Sequence, residues 1–459
     1  MGRREGDLVT GEASRITIET PIEFSDRLPE EVDAVIIGGG VIGVFSALYL
    51  ARLGKRVLIC EKGRIAGEQS SRNWGWIRQH GRDRAELPVM MQSLRLWREA
   101  DSETNGQCGV FTVGTHYLAS TGPEMAEHES WLSIARDHGL DTRVLSSNEI
   151  SDMFSGQADY PWVGGTCTPN DARGEPWVAV PAVARLARAA GALIREDCAV
   201  RALDMAAGRI QGVVTENGRV ACEQVVLAGG AWSSLFARRH GIDIPQLSVR
   251  ATVAQTAQLP EFFAGNAVDE QLALRRRADG GYSLALGDRN GVYLGPDALR
   301  HFRTYIPLLR KSWRGIDLGA RAPAGFPDAW GTPRDWAEDR ESPFEGTRVL
   351  EPAPDRAEVS SMIDRFVKRF PGIGQPEILN CWAGMIDAMP DAVPIVDRVP
   401  AIAGLVVATG MSGHGFGIGP GFGRIVARMV AGEDAEHDLE RFRFARFSDG
   451  SPLELGSTL

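Results

Sequence analysis

Cysteine is scarce in this chain of 459 residues. The six present (Cys60, Cys108, Cys167, Cys198, Cys222 and Cys381) stand at long intervals, with no C-x-x-C pair and no nearby histidine to complete a zinc set. That pattern excludes a disulfide framework and the common structural zinc sites, so reduced, mostly buried thiols and no metal are expected. A basic excess is also lacking. With a formal net charge of −10, the chain has no surplus of cations to neutralise phosphates, and no nucleic-acid partner is expected. No uninterrupted apolar run approaches the length of a membrane span. The first thirty residues are charged, carry Pro21 and Pro29 and lack a basic-then-apolar order. Neither a secretory peptide nor a transmembrane segment is therefore expected, and a cytoplasmic location follows by default. The composition, 43% hydrophobic and 24% charged, is that of a globular chain with material for a large core, and its length suggests two domains. No internal repeat is evident.

Glycine, by contrast, is abundant and ordered. Gly38, Gly40 and Gly43 lie between the apolar run Val32 to Ile37 and a helix-like run from Val41 to Leu53, which Gly54 can end. Arg56 to Cys60 reads as a second buried strand, closed by Glu61. This is the context a dinucleotide-binding βαβ unit requires. Gly38 makes the tight turn, Gly40 lets the backbone approach a pyrophosphate, and Gly43 lets helix and strand pack closely. The pyrophosphate caps the positive end of the helix. Glu61 stands where an acid accepts hydrogen bonds from a ribose 2′-hydroxyl and would repel a 2′-phosphate, which disfavours NADP.

Further along, Gly67 to Gln79 is a polar stretch interleaved with Trp74 and Trp76, and Ala85 to Ala100 has helical periodicity. Gly109 to Leu118 reads as strand, Pro123 to His138 as helix, Ser147 to Phe154 as a short capped helix and Pro181 to Ala190 as helix. Strands are expected at Leu193 to Asp204 and Ile210 to Thr215. A second glycine turn, Gly229 and Gly230 after an apolar strand, falls at the kind of position where open α/β sheets bind ligands. From Leu247 to about Glu377 the texture changes to strand-like runs, Leu247 to Gln258 and Gln271 to Leu286. A charged, Pro-rich stretch holding Trp313, Trp330 and Trp336 follows. The tail returns to glycine: a strand from Gly404 to Thr409, a glycine loop from Gly410 to Gly421 and a helix from Gly423 to Gly432. A helix entered through such a loop turns its positive end toward whatever lies in front of it; if that is the pyrimidine end of a flavin, the dipole stabilises the anionic reduced ring.

Three segments together, the N-terminal Gly-x-Gly-x-x-Gly with Glu61, Val-Leu-Ala-Gly-Gly-Ala-Trp-Ser and Gly-Met-Ser-Gly-His-Gly-Phe-Gly, resemble the D-amino-acid-oxidase-like superfamily of FAD-dependent amine and amino-acid oxidoreductases. That superfamily includes glycine oxidase, sarcosine oxidase and the L-amino-acid deaminases. The resemblance covers nearly the whole chain after residue 31. It implies an α/β, bilobed flavoprotein with a Rossmann-like FAD-binding domain and an α+β substrate domain on an antiparallel or mixed sheet. The chain would divide into an N-terminal extension (1–31), FAD-binding segments 32–107, 168–246 and 378–459, and substrate segments 108–167 and 247–377, with a helical insertion at about 297–345.

Carried over by position, Gly38, Gly40, Val41, Ile42, Gly43, Glu61 and Lys62 would hold the ADP half of FAD. Ser70, Ser71, Arg72, Asn73, Trp74 and Gly75 would follow the pyrophosphate and flavin edge, and the Val200 backbone would meet adenine. Gly229 and Trp232 fall in the middle cofactor segment, and Gly413, His414, Gly415, Phe416 and Gly417 at the flavin pyrimidine. Gly384 stands where sarcosine oxidases link flavin through cysteine, so FAD is expected to be non-covalent. Ile386 stands where D-amino-acid and glycine oxidases place their carboxylate-binding arginine. Arg275 is the expected replacement, with Gln79, Trp382 and Asp387 as the pocket wall.

The implied reaction is oxidative deamination of an amino acid, L-configured and with a bulky or basic side chain. Hydride would pass from the α carbon to flavin N5, oxygen or a quinone would take the electrons, and the imine would hydrolyse to a 2-oxo acid. Two alternatives stand beside it. One is oxidation of a secondary amine or N-substituted amino acid, and the other is a non-catalytic or partner-dependent flavin subunit of a larger dehydrogenase. A homo-oligomer is left open.

Overall fold

The computed structural model describes residues 15–312 and 315–456. The expectations for residues 1–14 of the N-terminal extension, for Trp313 and for residues 457–459 of the closing segment lie outside the described residues.

Four apolar residues in a row, Ala34–Ile37, do not alternate between core and water, so both faces of their strand need cover. They form the centre of a six-stranded sheet in the order Ile395–Arg398, Leu405–Thr409, Gln224–Leu227, Ala34–Ile37, Val57–Cys60, Leu193–Arg195. Every neighbouring pair is parallel except Ile395–Arg398 with Leu405–Thr409. Ala34 faces Gln224 on one side and Val57 on the other, so the ends of distant segments meet at one edge. Helices Val41–Arg52, Glu86–Glu103, Pro176–Ala189 and Gly415–Ala431 bury their apolar faces on one side of this sheet. The antiparallel meander Val200–Ala206, Arg209–Thr215, Gly218–Ala221 contributes Leu203, Ile210, Val213 and Val220 to the core on the other.

The C-terminal glycine run corrects the sequence expectation. Its helix begins at Gly415, not Gly423, and continues to Ala431 with Pro420 inside it. The glycines are there because side chains would not fit. A Cβ on Gly423 would stand 2.5 Å from Phe45 Cβ, one on Gly419 2.6 Å from a Val41 methyl, and one on Gly421 2.5 Å from Ser93 Oγ. Pro420 offers no N–H to the Phe416 carbonyl. That carbonyl instead accepts the Trp97 indole N–H at 3.0 Å, while Ser93 Oγ accepts from Gly421 N and donates to Ile418 O, both at 2.9 Å. Helix Glu86–Glu103 thus satisfies the backbone groups that the proline releases.

A second, ten-stranded mixed sheet runs Ile316–Gly319, Asn290–Tyr293, Leu247–Thr256, Tyr282–Ala285, Ala273–Arg276, Asn266–Val268, Thr115–Ala119, Gly164–Thr168, Arg143–Ser146, with Ile378–Ala388 also paired to Leu247–Thr256. A small sheet of Trp76–Ile77, Ala172–Arg173 and Phe111–Thr112 accompanies it.

Several expected runs are broken by residues in the left-handed region. Asp197 (φ 47°) separates Leu193–Arg195 from Val200–Ala206, Gly114 (φ 76°) separates Phe111–Thr112 from Thr115–Ala119, and Gly280 (φ 85°) turns Ala273–Arg276 back into Tyr282–Ala285. The expected helix Pro123 to His138 is two helices, Gly122–Ser130 and Leu132–Asp137. Ile378–Ala388, expected with the closing cofactor segment, belongs by its pairing to the second sheet. The insertion expected to be helical carries helices Pro296–Arg300, Phe302–Ser312 and Pro343–Gly346, and also strand Ile316–Gly319, which pairs in parallel with Asn290–Tyr293. Among the described residues no helix is long and apolar enough to cross a membrane.

Replacing Gly423 by Val would push a branched side chain into Phe45, and overpacking of this kind costs about 1–3 kcal/mol. A denaturant titration of Gly423→Val is expected to show an earlier midpoint. An unchanged midpoint would contradict the helix-on-helix contact.

Candidate active site

The turn after Ala34–Ile37 is shaped by what surrounds it. Gly38 has φ 109°, and a Cβ there would sit 2.5 Å from Ala228 O, so only glycine lets the two glycine turns approach. A Cβ on Gly43 would be 2.0 Å from Gly38 O, which makes it a packing glycine and not a cavity residue. Gly40 is the N-cap of helix Val41–Arg52, and the nearest atom to a Cβ there is Ser70 Oγ at 3.0 Å. Ser70 Oγ accepts from Val41 N at 3.0 Å, tying the polar stretch to the helix N-terminus. Glu61 accepts from Gly39 N (2.7 Å) and Gly63 N (2.8 Å). Burial pushes its carboxyl up to about 7.

These groups open onto a cavity lined at one part by Gly38, Gly40, Val41, Ile42, Glu61, Lys62, Ser70 and Val200, and at another by Gly229, Trp232, Asp387, Gly413, Gly415 and Phe416. The sequence-predicted cofactor residues therefore largely converge. The exceptions have physical reasons. Ser71 is buried, with its Oγ accepting from Ile16 N (3.3 Å). Arg72 gives its guanidinium to the Ile16, Gly67 and Ala383 carbonyls. Gly75 (φ 76°) packs under Gly174 O, which a Cβ would meet at 2.4 Å. Lys62 lines the cavity, but its ammonium is spent on Glu68, Thr347 O and Arg348 O and lies 4.4 Å over the Trp232 ring. It fastens the cavity wall and does not offer a free charge. Arg348 and Phe344, which the sequence reading missed, also line this cavity, and Arg348 is bound by both oxygens of Glu216.

A second cavity shares Gln69, Asn73, Gly413 and Phe416 with the first. Trp74 and Trp76 line it as an edge-to-face pair with centroids 5.4 Å apart. Gly417 and His414 border it too, and His414 Nδ1 lies 3.6 Å from Glu86 Oε2 inside the fold. Arg78, an alternative carboxylate clamp in the sequence, stands on its wall, as do Arg82 and Tyr117, which went unrecognised. Their approach comes from the turn at Gln79 to Arg82 and the strand Thr115–Ala119, a long-range pairing that no motif encodes.

The four expected substrate residues are placed elsewhere. Arg275, 1% exposed, is engaged by both oxygens of Glu175 at 3.0 Å and by Gly174 O, and lines neither cavity. Gln79 donates its side-chain amide to Asp171 at 3.2 Å, away from the cavity. Trp382 packs against Trp177 and donates its indole N–H to Arg72 O at 3.0 Å, as a core residue. Asp387 lines the first cavity, where its Oδ2 accepts from Gly410 N (2.8 Å) and Met411 N (3.1 Å). It holds the glycine turn on the cofactor side, and burial pushes it up to about 6.

An ADP-containing flavin fits this set. At Gly38 the cradle leaves no room for a side chain, Gly40, Val41 and Ile42 bring the positive end of their helix to the cavity wall, and Glu61 retains lone pairs for hydroxyl donors.

The family model for FAD dependent oxidoreductases (DAO) matches residues 33–429. Among curated proteins, mitochondrial dimethylglycine dehydrogenase of Mus musculus is 24% identical over 421 residues, which cover 92% of this chain and 44% of that protein. Sarcosine oxidase subunit beta of Arthrobacter sp is 24% identical over 429 residues, covering 92% of both. The chain spans less than half the length of mitochondrial relatives such as dimethylglycine dehydrogenase. Among solved structures, L-amino acid deaminase from Proteus myxofaciens, in complex with anthranilate, superimposes with a TM-score of 0.89 at 28% identity, covering 98% of this chain and all of that one. Glycine oxidase from Geobacillus kaustophilus, at 20% identity and a TM-score of 0.73 over 91% of this chain and 99% of that one, shares the fold.

Two outcomes test the cofactor cradle. Gly40→Val is expected to purify without flavin, and full flavin content would contradict the placement. Ribose hydroxyls would bind the ionised form of Glu61, whose carboxyl burial pushes up to about 7, so affinity would be lost as the pH falls through that value. FAD titrated into apoprotein is therefore expected to bind more tightly at about pH 8 than at about pH 5.5, and Glu61→Gln to flatten this dependence. An equally steep profile in Glu61→Gln would assign it to another group.

Proposed function

Since the chain belongs to the FAD dependent oxidoreductase family, we propose that it oxidises the C–N bond of an L-amino acid, giving an imine that water hydrolyses to a 2-oxo acid and ammonia. Bound FAD supplies the two-electron acceptor. What the chain contributes is position and electrostatics. Gly38, Gly40, Glu61 and Ser70 hold the ADP half, and Asp387 fixes the Gly410–Met411 turn. The helix Gly415–Ala431 directs its positive end at the isoalloxazine site.

The observation that carries the reading is the second cavity, which joins the first across Gln69, Asn73, Gly413 and Phe416. A substrate seated there lies beside the flavin site and is screened from water by Trp74 and Trp76. These indoles suit a bulky side chain, and Glu270 and Glu358, lining the same cavity, suit a basic one. The six thiols are unpaired, which fits a reducing compartment, and we place the enzyme in the cytoplasm. Oxygen or a quinone would reoxidise it.

A second reading, oxidation of an N-methylated amino acid, is supported by the names of the curated relatives, dimethylglycine dehydrogenase and sarcosine oxidase subunit beta. Anaerobic mixing of the flavin-loaded protein with paired compounds separates the two. Bleaching of the yellow band by primary L-amino acids and not by their D or N-methyl counterparts is expected. Bleaching by N-methyl compounds alone would replace the first reading with the second.

A further inference from the structure

Four arginines line the second cavity, and three are accounted for. Arg72 is held by three carbonyls. Arg78 donates to His80 O and lies 5.6 Å over the Tyr117 ring. Arg289 is half exposed, 3.6 Å from Asp317.

Arg82 differs. It is 3% exposed, its Nε has no hydrogen-bond partner, and no acid lies within ion-pairing distance of it among the described residues. Glu86, one turn along and fully buried, approaches His414 instead.

The backbone that carries Arg82 is rigid. Gly81 (φ 69°) turns the chain, Arg82 N donates to Gln79 O at 3.2 Å, and Arg82 O accepts the Trp131 indole N–H at 3.1 Å. Asp171 accepts from Gln79 N (2.8 Å), Gln79 Nε2 (3.2 Å) and His80 N (3.2 Å). The His80 ring is stacked between Tyr117 (4.5 Å) and Trp131 (5.1 Å), with both nitrogens on threonine hydroxyls at 3.0 Å. The residues around Arg82 are thus fixed by bonds that leave its guanidinium free.

A buried guanidinium without a counter-charge is costly. Its planar fork matches the two oxygens of a carboxylate better than any other common anion except phosphate. Arg275, the sequence candidate for this task, is already neutralised by Glu175. We propose that Arg82 binds the substrate carboxylate, which orients the α carbon toward the junction of the two cavities. This rests on the amino-acid reading above and adds the residue that selects for an acid.

The test is a binding titration of flavin-loaded protein, read by perturbation of the flavin absorbance, with benzoate and its neutral isostere benzamide. Arg82→Met is expected to weaken benzoate about 10- to 100-fold, the usual scale of a lost charge-assisted pair. Arg82→Lys should fall between it and the parent, and benzamide should be unaffected in both variants. Arg84→Met, at an exposed arginine that lines neither cavity, should leave benzoate binding unchanged. Equal benzoate affinity in Arg82→Met overturns the assignment. So does parallel loss of benzamide, which would mark Arg82 as a structural residue. If the parent protein binds no carboxylate at all, the amino-acid reading itself fails.

Discussion

The structure depends on one close approach, that of helix Gly415–Ala431 to helix Val41–Arg52. It is an approach with no room for a Cβ at Gly419 or Gly423. Helix Glu86–Glu103 locks it from the third side by supplying Ser93 and Trp97 to the backbone groups around Pro420. Because this contact is fixed, the start of the C-terminal helix lies beside the N-terminal glycine turn, although most of the chain separates them. Gly413 and Phe416 then border both cavities. A wider separation of these helices would enlarge the cavity and remove the wall that the flavin ring would lean on.

Buried charge is arranged on the same logic. Arg275 and Glu175 face each other with two 3.0 Å contacts, Glu175 also accepts from Ala278 N at 2.8 Å, and Arg173 stands 3.6 Å away. Glu175 caps helix Pro176–Ala189 of the first sheet, while Arg275 belongs to a strand of the second. The cluster is therefore a fastening between the two halves. Removing one member of such a pair costs about 3–5 kcal/mol, which is why Arg275 is not available to a ligand that comes and goes. Lys62 and Arg348 are committed in the same way around the first cavity. Lys62 and Arg348 therefore serve the wall, and the phosphates of a bound dinucleotide would be left to backbone amides.

How much of this could be read from the sequence follows from where each interaction originates. The turn at Gly38, Gly40 and Gly43 is local: strand, turn and helix lie within one βαβ unit, and a Cβ would collide with backbone at Gly38 and Gly43. Glu61 followed from the same unit. The resemblance carried the convergence of the Gly229 and Gly413 segments, which no local pattern contains. Side-chain direction was not legible. Arg275 lies on a strand whose alternation gave its face but not its partner, Glu175, one hundred residues earlier. Gln79 and Trp382 were near the cavity in sequence terms, yet each found a closer partner, in Asp171 and in the Arg72 carbonyl. The helix start at Gly415 was missed because glycine opposes helix formation locally, and only packing against Phe45, Val41 and Ser93 explains it.

The central claim is that three distant segments form one binding surface for one cofactor. Hydrogen exchange of the backbone amides, compared in apoprotein with and without FAD, addresses it directly. Protection is expected to rise together at Gly39 to Gly43, around Gly229 to Trp232 and at Gly413 to Gly417. Protection confined to the N-terminal segment, with the other two unchanged, would contradict the account.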